Sequence, residues 1–194
     1  IFLSLKSAKQ PAFGTASEKL QKELIKEYRR HSYIMKGDFL LPSEKKEFLS
    51  LMEGTAPMSE YCTALQTLSK FLEIYHKQKT IILIDEYDVP LENAYFNGFY
   101  DEMVSFIRSL FESALKTNES LKFAVITGCL RISKESIFTG LNNLKVVSVL
   151  DESYAEYFGF TQNEVDSFLE DYGIIQRRDE VKSWYDGYLF GNTE

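Results

Sequence analysis

The chain has 194 residues, of which 44% are hydrophobic and 26% charged, the balance of a globular domain rather than a disordered segment. Its formal net charge of -7 disfavours a broadly basic nucleic-acid surface. No apolar run approaches the roughly 18 residues that span a bilayer, and no signal peptide is visible, so we expect a cytoplasmic protein.

Neither the cysteines nor the histidines predict a metal or redox site. Cys62 and Cys129 lack the CxxC spacing of zinc and redox motifs, and we interpret both as reduced packing residues. His31 and His76 are far apart in the sequence and lie near predicted helix ends, which favours a structural or solvent-facing role.

The first part of the chain combines one apolar strand with several helical patterns. Residues 1–5 are an apolar run typical of a short buried strand. Thr15 and Glu18 form a capping-box pattern ahead of a helix that ends near His31. Two further helices are predicted, over residues 43–52 and 61–75.

Two later apolar runs complete the predicted sheet. Residues 80–84 are β-branched and apolar without alternation, which is typical of a parallel strand buried on both faces. A helical pattern lies between Met103 and Ala114, and a second strand follows over residues 121–126. This alternation favours a parallel α/β sheet flanked by helices, with right-handed crossovers and with the last two strands as neighbours.

After about Asp151 the sequence has helical patterns and no strong strand run. Thr161 and Glu164 repeat the capping box, and a second short helix is predicted over residues 177–185. We therefore expect an α/β core over residues 1–150 and a helical segment over residues 151–194, as a lid or the start of a following domain.

Two carboxylates, Asp85 and Glu86, follow the strand of residues 80–84. In open α/β sheets, ligands bind beyond the carboxyl ends of the strands. An Asp there can hold Mg²⁺ through water, and a following Glu can orient or deprotonate a water that attacks a γ-phosphate. Apolar strands that end in acidic turns are common, so the pattern on its own favours a merely solvated strand end.

A second set of candidate residues follows the strand of residues 121–126. The hydroxyl of Thr127 could sense a γ-phosphate, and Arg131 could stabilise charge in the transition state as arginine fingers do. The alternative is that Thr127 caps the next turn and Arg131 pairs with a nearby carboxylate. We expect Asp85 and Thr127 at the same sheet edge, with Asp85, Glu86 and Arg131 converging on one cleft.

Longer motifs carry a resemblance to a known family. They are DEYDVPL at residues 85–91, YDEM at 100–103, TGCLRISKESIF at 127–138, GLNN at 140–143, FGFT at 158–161 and WYDGY at 184–188. Together they resemble the bacterial and archaeal AAA-ATPase-like proteins, which often carry a C-terminal PD-(D/E)XK nuclease-like domain. The resemblance spans essentially the whole chain and implies a partial P-loop NTPase fold.

The resemblance also implies roles for individual residues. Asp85, as metal ligand, and Glu86, as catalytic base, match the Walker B pair of the family. Thr127 falls at a sensor position, and Arg131 is the basic residue of the same motif. The stretch over residues 133–143 matches a family signature to which we assign no role. ATP and Mg²⁺ are the cofactors implied for the intact protein.

The chain departs from the family in lacking the phosphate-gripping motif. A Walker A loop needs GxxxxGK[ST], and this chain has no Gly-Lys pair. The family places that loop just upstream of the segment matching residues 1–5, and a nuclease-like domain beyond Glu194. We therefore expect this chain to be a fragment whose partners are these two missing segments. By itself the fragment is expected to be inactive and to bind no nucleotide tightly. We also expect it to self-associate through an unpaired strand edge or to cover that edge with its C-terminal segment.

Three functional interpretations follow from these observations. The first is part of an ATP-hydrolysing switch domain. The second is a non-catalytic interaction module whose acidic strand end is only solvated. A third, a nuclease with Asp85, Glu86 and Asp88 as metal ligands, is weaker because two-metal sites usually collect ligands from several elements.

Overall fold

The computed structural model describes residues 1–129, 137–138, 141, 144–185 and 191. Packing divides the chain into two compact units, Ile1–Asn142 and Asn143–Glu194. The first unit contains the elements β1 (Phe2–Ser4), α1 (Phe13–Arg30), α2 (Pro42–Glu53), α3 (Met58–His76), β2 (Thr80–Asp85), α4 (Val89–Asn97), α5 (Tyr100–Leu115) and β3 (Leu121–Ile126).

The three strands form one parallel sheet in the order β1-β2-β3. In its register Ser4 is paired with Asp85 and Leu83 with Val125. The predicted α/β class, the parallel pairing of the last two strands and the flanking helices are therefore confirmed.

One face of this sheet is buried and the other is not. Leu3, Ile82 and Ile84 are buried in the core. On the opposite face Leu83 is 41% exposed and its register partner Val125 is 45% exposed. The expectation that the strand of residues 80–84 is buried on both faces is thus wrong.

The reason for this asymmetry is the strand order. Each strand lies beside the one before it, and the chain always steps in the same direction across the sheet. Right-handed crossovers that all step one way place their helices on one face. Accordingly α1, α3 and α5 contact β1, β2 and β3 respectively, and an apolar face remains exposed.

A buried carboxylate links α1 to the first strand. Glu27 Oε1 accepts hydrogen bonds from the Phe2 N–H at 2.9 Å and from Arg30, and it lies 3.2 Å from His31 Nε2. Burial raises the pKa of Glu27, but the hydrogen bonds from His31, Arg30 and Phe2 outweigh it and lower the pKa from 4.5 to about 2. The ionised carboxylate thus ties β1 to α1.

The two histidines belong to the same network. The Tyr33 hydroxyl lies 3.1 Å from His31 Nδ1 and 2.8 Å from His76 Nε2, so it joins the C-terminal ends of α1 and α3. The side chains also stack edge to face, with ring centroids of Tyr33 and His76 5.8 Å apart. Both histidines therefore take part in packing.

The helices differ from the sequence expectation at two places. The helix α1 begins at Phe13 rather than after Thr15, and the Thr15 hydroxyl donates to the Ala12 carbonyl at 3.0 Å instead of capping. The helix α4 was not predicted at all. It follows the acidic turn directly, with proline in its first turn, where the missing N–H costs no helical hydrogen bond.

The second unit is helical, as predicted. It contains α6 (Gln162–Asp171) and α7 (Arg178–Tyr185). The capping box at the start of α6 is confirmed, since Thr161 Oγ1 accepts from the Glu164 N–H and Glu164 Oε2 accepts from the Thr161 N–H. Throughout the residues that the structure describes, no helix is long and apolar enough to cross a membrane.

Candidate functional site

The candidate site lies where β2 and β3 end. Thr127 Oγ1 donates a hydrogen bond to Asp85 Oδ1 at 2.5 Å, and the Thr127 N–H donates to the Ile84 carbonyl at 2.9 Å. The Leu5 N–H, just after β1, donates to the Asp85 carbonyl at 3.0 Å. Because parallel strands end at one edge, the sheet brings the predicted pair Asp85 and Thr127 together as expected.

Glu86 adopts a backbone conformation that is unusual for its residue type. Its φ is 55°, in the left-handed region, which costs a non-glycine residue about 1–2 kcal/mol. Strained backbone of this kind concentrates at functional sites, where the surrounding structure over-determines it. The left-handed conformation turns the backbone directly after the last residue of β2, Asp85.

The carboxylate of Glu86 is only partly satisfied. Its Oε1 lies 3.9 Å from Lys6 Nζ, a long contact with a side chain that is 75% exposed. Its Oε2 is buried and has no hydrogen-bond partner among the described residues. A buried acceptor without a donor costs about 1–3 kcal/mol, so this oxygen is an unsatisfied polar atom beside the strand end.

Lys6 is a member of the site that the sequence analysis missed. It follows β1, so it reaches the same edge of the sheet as Asp85 and Thr127. An exposed ion pair of this kind contributes little stability, about 0–1 kcal/mol. Its consequence is electrostatic, since it places one positive charge beside the Glu86 carboxylate. No sequence motif marks this residue, because its proximity depends on the pairing of β1 with β2.

Asp88 is the second residue that was missed as part of this arrangement. It was considered only as a nuclease ligand, yet its Oδ2 accepts a hydrogen bond from the Cys129 N–H at 2.9 Å. The Tyr87 N–H donates to the Thr127 carbonyl at 3.1 Å. The segments after β2 and β3 are therefore joined side by side. Cys129 is exposed, so its interpretation as a packing residue is wrong.

Arg131 and most of the signature over residues 133–143 lie outside the described residues. The convergence of Arg131 with Asp85 and Glu86 on one cleft accordingly stays a prediction. Within the signature the structure describes Ile137, Phe138 and residue 141. Ile137 is buried, and the Phe138 ring packs on Tyr87 and Phe111.

The carboxylates do not form a protein-only metal cage. Within the described ranges, no three side chains of His, Cys, Asp or Glu are grouped as metal ligands. Asp85, Glu86 and Asp88 therefore do not form such a group, which argues against the nuclease interpretation. Mg²⁺, by contrast, keeps several waters and is held by one or two carboxylates together with substrate phosphates. The oxygen atoms of Asp85 and Thr127 fit that requirement.

Comparisons with known proteins identify a family. A family model described as Predicted AAA-ATPase matches residues 1–138. An "Uncharacterized protein in vnfD 5'region" from Azotobacter chroococcum mcd 1 is 31% identical over 134 residues. That alignment covers 66% of this chain and 26% of the relative, so the chain spans about a quarter of the relative's length. No solved structure matches.

Proposed function

We propose that this chain, which belongs to the predicted AAA-ATPase family, supplies the metal-and-water half of an ATP-hydrolysing switch domain of P-loop NTPase type. The observation that carries the proposal is the contact between Asp85 and Thr127 at the carboxyl edge of a parallel sheet. Ligands bind at that edge in open α/β sheets. A contact there between side chains that follow two neighbouring strands favours a ligand site over a solvated turn.

Glu86 is the proposed base. A carboxylate can accept a proton from, or orient, the water that attacks the γ-phosphate. The Oε2 of Glu86 has no hydrogen-bond partner among the described residues, and the residue lies directly after Asp85, the proposed metal ligand.

Asp85 and Thr127 are the proposed residues for Mg²⁺ and its waters. When bound, Mg²⁺ would neutralise charge on the phosphates. In that role the carboxylate of Asp85 would accept hydrogen bonds from metal-bound water, and the hydrogen bond that it receives from the Thr127 hydroxyl would help to orient it. Thr127 is also proposed to sense the γ-phosphate, and Arg131 to stabilise the charge that develops on it.

In the proposed ATPase, the residues that bind the phosphates have to come from outside these 194 residues. The chain has no GxxxxGK[ST] motif, whose backbone N–H groups and lysine would cradle the phosphates. ATP hydrolysis is therefore proposed for the full-length protein and not for these 194 residues alone.

A second function, a non-catalytic interaction module, is favoured by one observation. The exposed face of the sheet is apolar, and Leu83 and Val125 lie side by side on it. Apolar faces of this kind mark contact surfaces. One fold can carry both functions. A test of the carboxylates Asp85 and Glu86 therefore separates the two functions, whereas a test of the apolar face does not.

The two functions are separated by assaying ATP hydrolysis in the full-length protein with and without Mg²⁺. The switch function predicts turnover that requires Mg²⁺ and that falls strongly in Asp85→Asn, because the amide no longer balances the metal's charge. Asp101→Asn, at the exposed start of α5, is the matched control. Purified protein that binds no Mg-ATP and releases no phosphate supports the interaction module instead.

A further inference from the structure

The turn after β2 carries a buried carboxylate whose role is not that of an ordinary helix cap. Asp88 is 3% exposed and occupies the N-cap position of α4. An Asp there normally accepts a hydrogen bond from the N–H of the second or third helical residue. The side chain of Asp88 makes no such bond. Its Oδ2 instead accepts from the Cys129 N–H, across the gap between the two strand ends.

Gly128 lets the two segments come this close. A Cβ at Gly128 would lie 2.7 Å from Asp88 Oδ1 and 2.6 Å from the Tyr87 ring, closer than Cβ contacts allow. Tyr87 cannot move aside easily, because it is buried and its ring packs on Phe138 with centroids 5.3 Å apart. Position 128 is therefore restricted to glycine by space.

These contacts hold Thr127 from both sides. Its backbone N–H is bound to the Ile84 carbonyl, its backbone carbonyl accepts from Tyr87, and the residue two positions later is bound by the Asp88 carboxylate. The hydroxyl of Thr127 donates its hydrogen bond to Asp85. Burying a carboxylate is costly unless it is hydrogen-bonded, so the arrangement favours one position of the segment after β3.

We propose that Asp88 and Gly128 are positioning residues that set the place of Thr127 relative to Asp85 and Glu86. Asp88 supplies the charge-assisted hydrogen bond, and Gly128 supplies the space that lets it form. Neither residue contacts nucleotide or metal in this proposal. The inference rests on the proposed ATPase function, because the alignment of these side chains matters only if they act on a nucleotide.

The test compares four variants of the full-length protein. Asp88→Ala removes the acceptor, Asp88→Asn keeps a side-chain oxygen, and Gly128→Ala adds the excluded methyl group. Gly14→Ala is the matched glycine control, since a Cβ there meets nothing within 4 Å. Misplacing a catalytic group by about 1 Å costs on the order of 100-fold in rate.

We expect kcat to fall by about 10- to 100-fold in Asp88→Ala and Gly128→Ala, with KM for ATP changed less than about twofold. Asp88→Asn should recover most of the loss, because its side-chain oxygen can still accept from the Cys129 N–H. A purely structural role would instead lower the amount of folded enzyme and leave kcat per folded molecule unchanged.

A second readout does not depend on activity. In the 194-residue chain, hydrogen exchange of the Cys129 amide should be at least tenfold faster in Asp88→Ala than in the parent, with the amides of β2 unchanged. An inert parent protein would defeat the proposed function and this inference together. An active parent whose Asp88→Ala and Gly128→Ala variants keep its kcat would overturn the positioning role alone, as would unchanged exchange at Cys129.

Discussion

The hydroxyl of Thr127 and the carboxylate of Asp85 are joined by a hydrogen bond of 2.5 Å between the ends of two adjacent parallel strands. This bond links the residue proposed to hold Mg²⁺ to the residue proposed to sense the γ-phosphate. A substitution that removes either group therefore removes a hydrogen bond of the other residue, which makes this pair the first target for mutagenesis.

Removing the Thr127 hydroxyl should slow the proposed reaction. Thr127→Val keeps the volume and loses the donor to Asp85, and hydrogen bonds to charged groups are worth about 1.5–3 kcal/mol. We expect kcat of the full-length protein to fall by about 10- to 100-fold, with Thr127→Ser close to the parent. Thr63→Val, on the exposed side of α3, is the control. A kcat of Thr127→Val equal to that of the parent would contradict a role of the Thr127 hydroxyl in the reaction.

Glu27 should make folding stability depend on acidity. Its pKa is lowered from 4.5 to about 2 in the folded chain, so the stabilisation is present in full above pH 4.5 and is lost as the pH falls towards 2. The shift corresponds to about 3 kcal/mol at neutral pH. Urea unfolding of the 194-residue chain between pH 2 and 7 measures it.

The matched variants for this prediction are Glu27→Gln and Glu18→Gln. Glu27→Gln should lower the free energy of unfolding at pH 7 and flatten its decline between pH 4.5 and 2. Glu18 lies on the exposed face of α1, so its replacement should change neither. Equal pH profiles for the parent and Glu27→Gln would show that the buried carboxylate is not the titrating group.

The isolated chain should not bind nucleotide tightly. It has no GxxxxGK[ST] motif to grip phosphates. Calorimetric titration of the 194-residue chain with Mg-ATP should give no saturable heat up to about 100 µM ligand, a range in which micromolar binding is easily seen. Micromolar affinity would mean that the edge formed by Asp85, Glu86 and Thr127 binds ATP without that motif.

The exposed face of the sheet should make the isolated chain self-associate. Leu83 and Val125 are register partners on that face, and β3 has no second neighbour among the described strands. Light scattering should show oligomers that grow with concentration. Replacing Leu83 and Val125 together by Thr should reduce them, whereas Phe96→Ser on α4 should not. A parent chain that stays monomeric up to about 100 µM would contradict this prediction.

The strands were predictable because their sequences are unambiguous. Residues 80–84 and 121–126 are apolar runs of strand length, and the alternation with helices favours parallel pairing. From that pairing alone the meeting of Asp85 and Thr127 follows, since parallel strands end at a common edge. The start of α6 was predictable because both halves of its capping box lie within four residues.

Other features depended on information that is not local. The exposure of Leu83 follows from the strand order, which fixes the face that helices cover. The left-handed φ of Glu86 contradicts the preference of its residue type, so no propensity could predict it. Lys6 and Asp88 reach the site through strand pairing and a bond to a backbone N–H, neither of which leaves a motif in the sequence.

The measurement that tests the ATPase proposal most directly is the effect of Glu86→Gln on the full-length protein. The amide keeps the shape of the side chain but cannot accept the proton of the attacking water. We predict that ATP hydrolysis falls by about 100-fold or more while the Kd for Mg-ATP stays within about twofold of the parent. Glu92→Gln, exposed on α4, should behave as the parent. Hydrolysis by Glu86→Gln at the parent rate would contradict the proposal that Glu86 is the base.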